Sequence, residues 1–265
     1  MAVHRVVVLA LPGVFPFELG IPARVFRAAV GRGGTPLYEV TTCSIDGRPV
    51  ATNADFTIGV AHDQAALARA DTVVVAPTDA SAASTPADVA LLDAAGAALA
   101  GLRPGVRVAS ICNGADVVAR AGLLDGRPAT THWNHAQEFR ARYPQVLLDP
   151  DVLYVDDGDV LTSAGAASGI DLCLHLVRRD HGVEVANGAA RACVVPPHRD
   201  GGQAQFGLTV FVISPDSLQR HCVHRQRPDQ GFHVLDVAVC RIFRTCARPQ
   251  QPLRTRALRA DLAES

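Results

Sequence analysis

Apolar runs alternate with amphipathic segments over the first two hundred residues of the chain. The runs at residues 4–11, 38–45, 72–76 and 106–111 are rich in Val, Leu, Ile and Ala, and near-continuous runs of this kind are typical of parallel strands covered on both faces. Helical spacing of apolar residues predicts helices at 18–30, 87–102, 115–124, 136–143, 169–179 and 183–195. This alternation predicts a doubly wound α/β sandwich.

Shorter elements fill the connections. A short strand is predicted at 56–60, a short helix at 65–69 and an extended piece at 126–133. Two short apolar runs at 152–155 and 160–163 flank an Asp-Asp-Gly-Asp turn, which predicts a hairpin.

The stretch around Cys112 carries the clearest chemistry. The strand predicted at 106–111 ends there, and a helix is predicted directly after Gly114. Asn113 and Gly114 tolerate the unusual backbone of a sharp strand-to-helix turn, the arrangement of a nucleophile elbow. Helix N–H groups at such a turn favour the thiolate. The alternative is a small buried side chain, since free cysteine is among the most buried residue types.

Glu18 lies just beyond the first predicted strand. Because doubly wound sheets gather their functional loops at the carboxyl ends of the strands, we expect Glu18 and Cys112 to lie near each other. A carboxyl beside the thiol either donates a hydrogen bond to the thiolate or, when ionised, raises the thiol pKa. The sequence leaves both alternatives open.

Composition narrows the function classes. The 265 residues have 48% hydrophobic content and a net charge of −1, which gives no electrostatic case for nucleic acid or a membrane as partner. No apolar run reaches membrane-spanning length, so a cytoplasmic protein is expected. Seven cysteines without a CxxC pair indicate neither a disulfide framework nor a zinc site, and we predict no metal and no cofactor.

Eight motifs occur in order along residues 4–206. They are Phe-Glu-Leu at 17–19, Ser-Ile-Cys-Asn-Gly at 110–114, Ala-Gly-Leu-Leu-Asp-Gly at 121–126, Ala-Thr-Thr-His-Trp at 129–133, Asp-Pro-Asp-Val-Leu-Tyr-Val at 149–155, Leu-Thr-Ser-Ala-Gly at 161–165, Gly-Ile-Asp-Leu at 169–172 and Val-Pro-Pro-His-Arg-Asp-Gly-Gly-Gln-Ala-Gln-Phe at 195–206. With them this region resembles the sensor domain of GlxA-like regulators, which join a ThiJ/PfpI (class-I glutamine-amidotransferase-like) domain to an AraC-type DNA-binding module.

The resemblance implies a flavodoxin-like sandwich, usually dimeric, with Cys112 at the elbow and Glu18 as its acidic neighbour. Proteolytic members of the superfamily carry histidine directly after the cysteine, where this chain has Asn113. The amidotransferases draw a histidine and a glutamate from a late loop, and residues 163–168 contain neither. A base for a conventional activated thiolate is therefore missing. His132 and His135, which flank Trp133 at the start of a predicted helix, are the remaining candidates. The alternative for His132 is a polar position below the pocket, with Thr130 or Thr131 capping the helix.

The family pattern stops at Phe206. Residues 207–265 lack the Ser-x-Arg-x-Leu-x-Arg-x-Phe-like pattern of the recognition helix and are rich in Arg, Cys and His, which indicates a shifted reading frame; a genuine lineage-specific tail is the alternative. We therefore predict a sensor domain at 1–200 and a linker and tail at 201–265 in place of the helix-turn-helix module. Sequence-specific DNA binding by this chain is not expected.

The leading hypothesis is a non-catalytic, ligand-sensing domain of an AraC-type transcriptional regulator, acting as a homodimer with a small-molecule effector. Its pocket would lie over Cys112 and Glu18. The pocket boundary is predicted at Pro12, Gly13, Asn113, Gly114 and His132. The alternative is an enzyme resembling isonitrile hydratase, with Cys112 as nucleophile and Glu18 moving protons.

Overall fold

The computed structural model describes residues 3–82 and 85–205. Of the predicted linker and tail at 201–265, residues 206–265 lie outside these residues, including the helix-like spacing at 232–243. A six-stranded sheet is covered on both faces by helices. In chain order the elements are β1 (His4–Leu9), α1 (Pro16–Ala28), β2 (Tyr38–Cys43), β3 (Val50–Ala51), β4 (Thr57–Ile58), β5 (Thr72–Val75), α2 (Pro86–Ala100), β6 (Arg107–Ile111), α3 (Ala115–Arg120), β7 (Pro128–Ala129), α4 (Ala136–Arg142), β8 (Leu147–Leu148), β9 (Tyr154–Asp157), β10 (Val160–Ser163), α5 (Ala167–His181) and α6 (Val183–Cys193).

The central sheet has the strand order β2-β1-β5-β6-β10-β9. Its first five strands are parallel, and β9 pairs antiparallel with β10. The order reverses between β1 and β5, as in flavodoxin-like sheets, and the carboxyl ends of the parallel strands form one edge. The predicted doubly wound α/β sandwich is confirmed.

Two separate apolar cores lie on the two faces of the sheet. Val6 and Val8 of β1 face α1, α5 and α6, whereas Val7 and Leu9 face α2, α3 and α4. Because both faces of β1 are covered, its sequence is a continuous apolar run and does not alternate. Within the described ranges, no helix is both long enough and apolar enough to cross a membrane.

Several helix boundaries differ from the predicted ones by one to four residues, and two of these differences have a clear cause. Helix α1 begins at Pro16 and not at residue 18, since proline fits the first helical turn, where no N–H partner is needed. Glu18 thereby lies in that first turn and not in a loop. Helix α3 ends at Arg120 and not at residue 124, because Gly122 takes a φ of +72° and turns the chain out of the helix.

The predicted hairpin is confirmed with a shorter turn. Asp157 pairs with Val160, so only Gly158 and Asp159 form the turn and the two preceding aspartates belong to β9. The two-residue strands β3 and β8 were not predicted, because their partners β4 and β7 are equally short and such pieces show no periodicity.

Candidate functional site

Cys112 occupies a strained turn at the carboxyl end of β6. Its φ is +57°, a left-handed conformation that is uncommon for any residue with a side chain. A short 3-10 turn, Cys112–Gly114, then leads into α3. The sequence assigned the unusual backbone to Asn113 and Gly114, whereas the structure places it on the cysteine itself. This is the geometry of a nucleophile elbow.

The two residues after Cys112 hold the elbow against β5 and the loop that follows it. The Asn113 side chain accepts from the Thr78 N–H at 2.9 Å and donates to the Thr78 carbonyl at 3.0 Å. At Gly114, an added Cβ would lie 2.5 Å from the Val75 carbonyl oxygen, so only glycine permits this approach of α3 to the sheet. Both residues therefore have a structural part in the site. The Asn113 amide is fully committed to backbone partners.

A loop after β10 packs directly on the thiol. Gly165 has a φ of +94°, and a Cβ added there would lie 2.4 Å from the Cys112 Cβ and 2.9 Å from its Sγ. The next residue, Ala166, also has a positive φ, +46°. The sequence showed this loop to lack a histidine and a glutamate, but not that its backbone lies against the cysteine. Its run of small residues was the available signal.

Glu18 completes the centre of the site from the first turn of α1. It is 9% exposed. Burial raises the pKa of the Glu18 carboxyl, while the backbone N–H groups of Glu18 and Ala166 oppose that rise. Its charge also acts on the Cys112 thiol. The structure thus brings Glu18 and Cys112 together, because the loop after β10 contacts both: the Ala166 N–H acts on Glu18 and Gly165 lies against Cys112.

Burial controls the ionisation of the thiol. It raises the pKa of Cys112 to about 12, against the effect of the Asn113 N–H. The carboxyls of Glu18 and Asp116 raise this pKa further. The Asn113 N–H at this turn lowers the thiol pKa, but the opposing effect of desolvation is larger.

Asp116 is a buried charge that the sequence did not single out. It is 3% exposed and pairs with Arg142 at 2.8 Å. Burial raises the pKa of Asp116 to about 6 although Arg142 lowers it. In sequence Asp116 is an ordinary acidic residue in the first turn of a helix, so only the folded structure shows its burial beneath the elbow.

The Pro12–Gly13 turn lies beside the elbow and is closed by hydrogen bonds. The Thr78 hydroxyl donates to the Pro12 carbonyl. Gly13 has a φ of +78°, donates its N–H to the Ala51 carbonyl at 2.8 Å and accepts from the Asp79 N–H at 3.0 Å. The predicted pocket wall at Pro12 and Gly13 is thus a turn that is held in place by hydrogen bonds from the loop after β5.

His132 follows the residue that contacts the elbow. Its Nδ1 accepts from the Asn134 N–H at 3.2 Å, and the 3-10 turn Trp133–His135 begins after it. Burial and the neighbouring His135 lower the pKa of His132. The residue that reaches the elbow is Thr131, whose hydroxyl donates to the Cys112 carbonyl at 3.1 Å. His132 itself caps the turn, a role that the sequence considered for the threonines.

A cavity of about 270 Å³ lies at the opposite edge of the sheet, lined by His4, Asp71, Arg103, Arg107, Asp159 and Arg179 among others. These arginines are engaged with acidic residues: Arg103 with Asp71 and Arg107 with Asp180. The cavity is at the amino ends of the strands, away from Cys112. Within the described ranges no group of three His, Cys, Asp or Glu side chains is arranged to hold a metal ion.

Replacing Glu18 with glutamine should speed alkylation of Cys112 by iodoacetamide at pH 8 by about threefold to tenfold, because loss of an adjacent negative charge lowers the thiol pKa. Peptide mass spectrometry would give the rate at this residue. Glu39→Gln, the same change at an exposed position of β2, should leave it unchanged. A slower rate in Glu18→Gln would mean that the carboxyl is protonated and donates to the thiolate.

A doubly wound sandwich with a cysteine at a strained elbow and an acidic residue beside it defines a class of proteins rather than one activity. The chain belongs to the DJ-1/PfpI family, whose model matches residues 4–179. This confirms the ThiJ/PfpI resemblance.

The relatives have several kinds of name. An uncharacterized protein in the cpoL 5' region of Streptomyces lividans is 43% identical over 141 residues, covering 53% of this chain and 96% of that protein. The HTH-type transcriptional regulator CdhR of Pseudomonas aeruginosa is 34% identical over 179 residues, covering 67% of this chain and 51% of the regulator. An isonitrile hydratase of Pseudomonas putida is 37% identical over 79 residues, covering 30% of this chain and 33% of the hydratase.

Among solved structures, an AraC family transcriptional regulator from Pseudomonas putida superposes with a TM-score of 0.57 at 25% identity, covering 72% of this chain and 99% of that chain. The present chain spans about half the length of CdhR. It carries a DJ-1/PfpI domain whose relatives include transcription regulators.

Proposed function

We propose that residues 3–205 form the ligand-sensing domain of a transcriptional regulator, and that Cys112 and Glu18 mark a binding site for a small molecule and not a catalytic centre. The regulators among the relatives support the class of function. The observation that carries the proposal at the site is the state of the thiol. Cys112 is buried, the Gly165 loop packs directly on it, and both burial and the carboxyls of Glu18 and Asp116 raise the thiol pKa.

A catalytic cysteine needs the opposite environment. Reactive thiols have a lowered pKa beside a cation, a histidine or an exposed helix start, because the thiolate is the nucleophile. At this elbow Asn113 takes the position after the cysteine and uses its amide to hold Thr78. The elbow therefore supplies a fixed, polar thiol beside the Glu18 carboxyl, which suits recognition of a ligand that forms hydrogen bonds.

For residues 207–265 the proposal rests on the sequence. Residues 207–265 lack the recognition-helix pattern, so we propose that this chain senses without reading a DNA sequence. We also propose that the protein is cytoplasmic and forms a homodimer. Sedimentation equilibrium of the purified chain would test the dimer.

Thermal denaturation with a panel of small metabolites tests the sensing function. A true effector at a hundred times its Kd should stabilise the fold by about 2.7 kcal/mol and raise Tm accordingly. The shift should be lost in Glu18→Gln and kept in Glu39→Gln. A shift of equal size in both variants would place the ligand elsewhere and contradict the proposed site.

A second function is favoured by the similarity to isonitrile hydratase and by a site chemistry that needs no histidine. Cys112 Sγ would attack the terminal carbon of an isonitrile while the thiol proton passes, through Glu18, to that carbon, giving a thioimidate. Water would then add to the same carbon and the C–S bond would break, releasing an N-substituted formamide and the free thiol. The raised thiol pKa opposes the first step.

A further inference from the structure

The last described residues form a strap along the edge of the domain, defined as residues 197–205. It runs antiparallel to the segment before β9, with a bridge between Ala204 and Val152. Leu153 donates its N–H to the Gly201 carbonyl at 2.8 Å, and Gln205 donates its N–H to the Asp151 carbonyl at 2.7 Å. The backbone of the strap is therefore held on the domain up to residue 205.

An ion pair anchors the beginning of the strap. The Arg199 Nε lies 3.1 Å from both carboxylate oxygens of Asp171 on α5. Asp171 is 8% exposed, and a charge at that depth is stable only with such a partner. Asp171 therefore holds the beginning of the strap to α5.

The Gln205 side chain fastens the end of the strap to the loop beside the elbow. Its Nε2 donates to the Thr131 carbonyl at 3.0 Å and to the Val152 carbonyl at 2.9 Å, with a longer contact to the Thr130 hydroxyl at 3.3 Å. Its Oε1 accepts from the Trp133 N–H at 3.0 Å. The Gln205 side chain thus contacts three groups of the 130–133 loop and the Val152 carbonyl.

The same loop reaches the elbow through Thr131. This residue is fully buried, and its hydroxyl donates to the carbonyl of Cys112, the residue with the strained φ of +57°. A continuous hydrogen-bonded path therefore runs from Gln205 through Thr131 to the elbow. Removing one member of a buried hydrogen-bonded path leaves the others unpaired, so the path is held as a unit.

We propose that Gln205 couples the elbow to the chain that follows the strap. The hydrogen bonds of the Gln205 side chain keep the elbow closed around Cys112. A chemical change at Cys112 in turn weakens these hydrogen bonds. This rests on the proposed sensing function, for which it supplies the route by which occupancy of the site reaches residue 206 and beyond. The coupling is reciprocal by thermodynamic necessity. Each end can therefore be perturbed and the other observed, with no effector required.

Alkylation of the full chain by iodoacetamide tests the first direction. In Gln205→Ala, alkylation of Cys112 should be about tenfold faster than in the wild-type chain, as expected when a buried hydrogen-bonded group is lost. Gln203→Ala is the matched control, because Gln203 lies in the same strap with an exposed side chain, and it should leave the rate unchanged. Thr131→Val, which removes only the hydroxyl, should accelerate Cys112 as well. Adding Gln205→Ala to it should bring less than the additive effect.

Hydrogen exchange tests the other direction in the unmutated chain. Alkylation of Cys112 should speed exchange at the Trp133 amide, whose acceptor is Gln205. Equal Cys112 rates in Gln205→Ala and Gln203→Ala, or an unchanged Trp133 amide, would overturn the coupling. So would equal acceleration at the fully buried Cys43, since Gln205 would then stabilise the fold in general. If both tests give the expected results but no metabolite of the panel binds, the sensing function is refuted and the coupling still stands.

Discussion

Replacing Gly165 with alanine should lower the free energy of unfolding by about 3 kcal/mol or more. The residue has a φ of +94°, which costs a residue with a side chain about 1–2 kcal/mol. The added methyl group would also lie 2.4 Å from the Cys112 Cβ, and overpacking of a close-packed site costs about 1–3 kcal/mol more. Urea denaturation of the two proteins measures the sum.

Gly158→Ala separates the two contributions. Gly158 has a similar φ, +84°, but no neighbouring atom within 4 Å of an added Cβ. It should therefore lose only the conformational part, about 1–2 kcal/mol. Equal losses in the two variants would show that Gly165 is required for its backbone conformation alone and that its loop does not press on the elbow.

Cys112 should react with iodoacetamide at pH 7 about three orders of magnitude more slowly than an ordinary exposed thiol. The reason is the thiolate fraction, which at that pH is far smaller for a pKa of about 12 than for the usual value of about 8.5. The folded protein holds this proton, so the rate should rise about tenfold for each pH unit between pH 7 and 11.

Peptide mass spectrometry after timed alkylation gives this pH profile, with glutathione as the reference thiol in the same tube. A rate that levels off below pH 9 would show a stabilised thiolate at Cys112. That result would remove the main argument for binding over catalysis and favour the hydratase chemistry.

The fold was predictable because its signals are local. Continuous apolar runs identify strands that are covered on both faces, and β1, β5 and β6 follow them within a few residues. The turn at Cys112 and the proximity of Glu18 also followed from general rules, since strands that run parallel bring their carboxyl ends to one edge.

The parts of the site that the sequence missed depend on contacts between distant residues. Gly165 lies far from Cys112 in sequence, and the small residues around it do not specify which part of the fold packs on them. The same is true of the Asn113–Thr78 pair and of Gln205 on Thr131. The thiol pKa depends on contacts of this kind as well. The N–H groups after the elbow can be expected from a sequence pattern, whereas the depth of burial that outweighs them cannot.

The most direct test of the sensing function is the chemical fate of a ligand. The small molecule that stabilises the wild-type chain but not Glu18→Gln, from a panel that includes an alkyl isonitrile, would be incubated with the protein and analysed by mass spectrometry. A sensing site returns the molecule unchanged, with no product above that formed with Cys112→Ala. Conversion that depends on Cys112, such as an isonitrile to its formamide, would contradict the account and establish an enzyme.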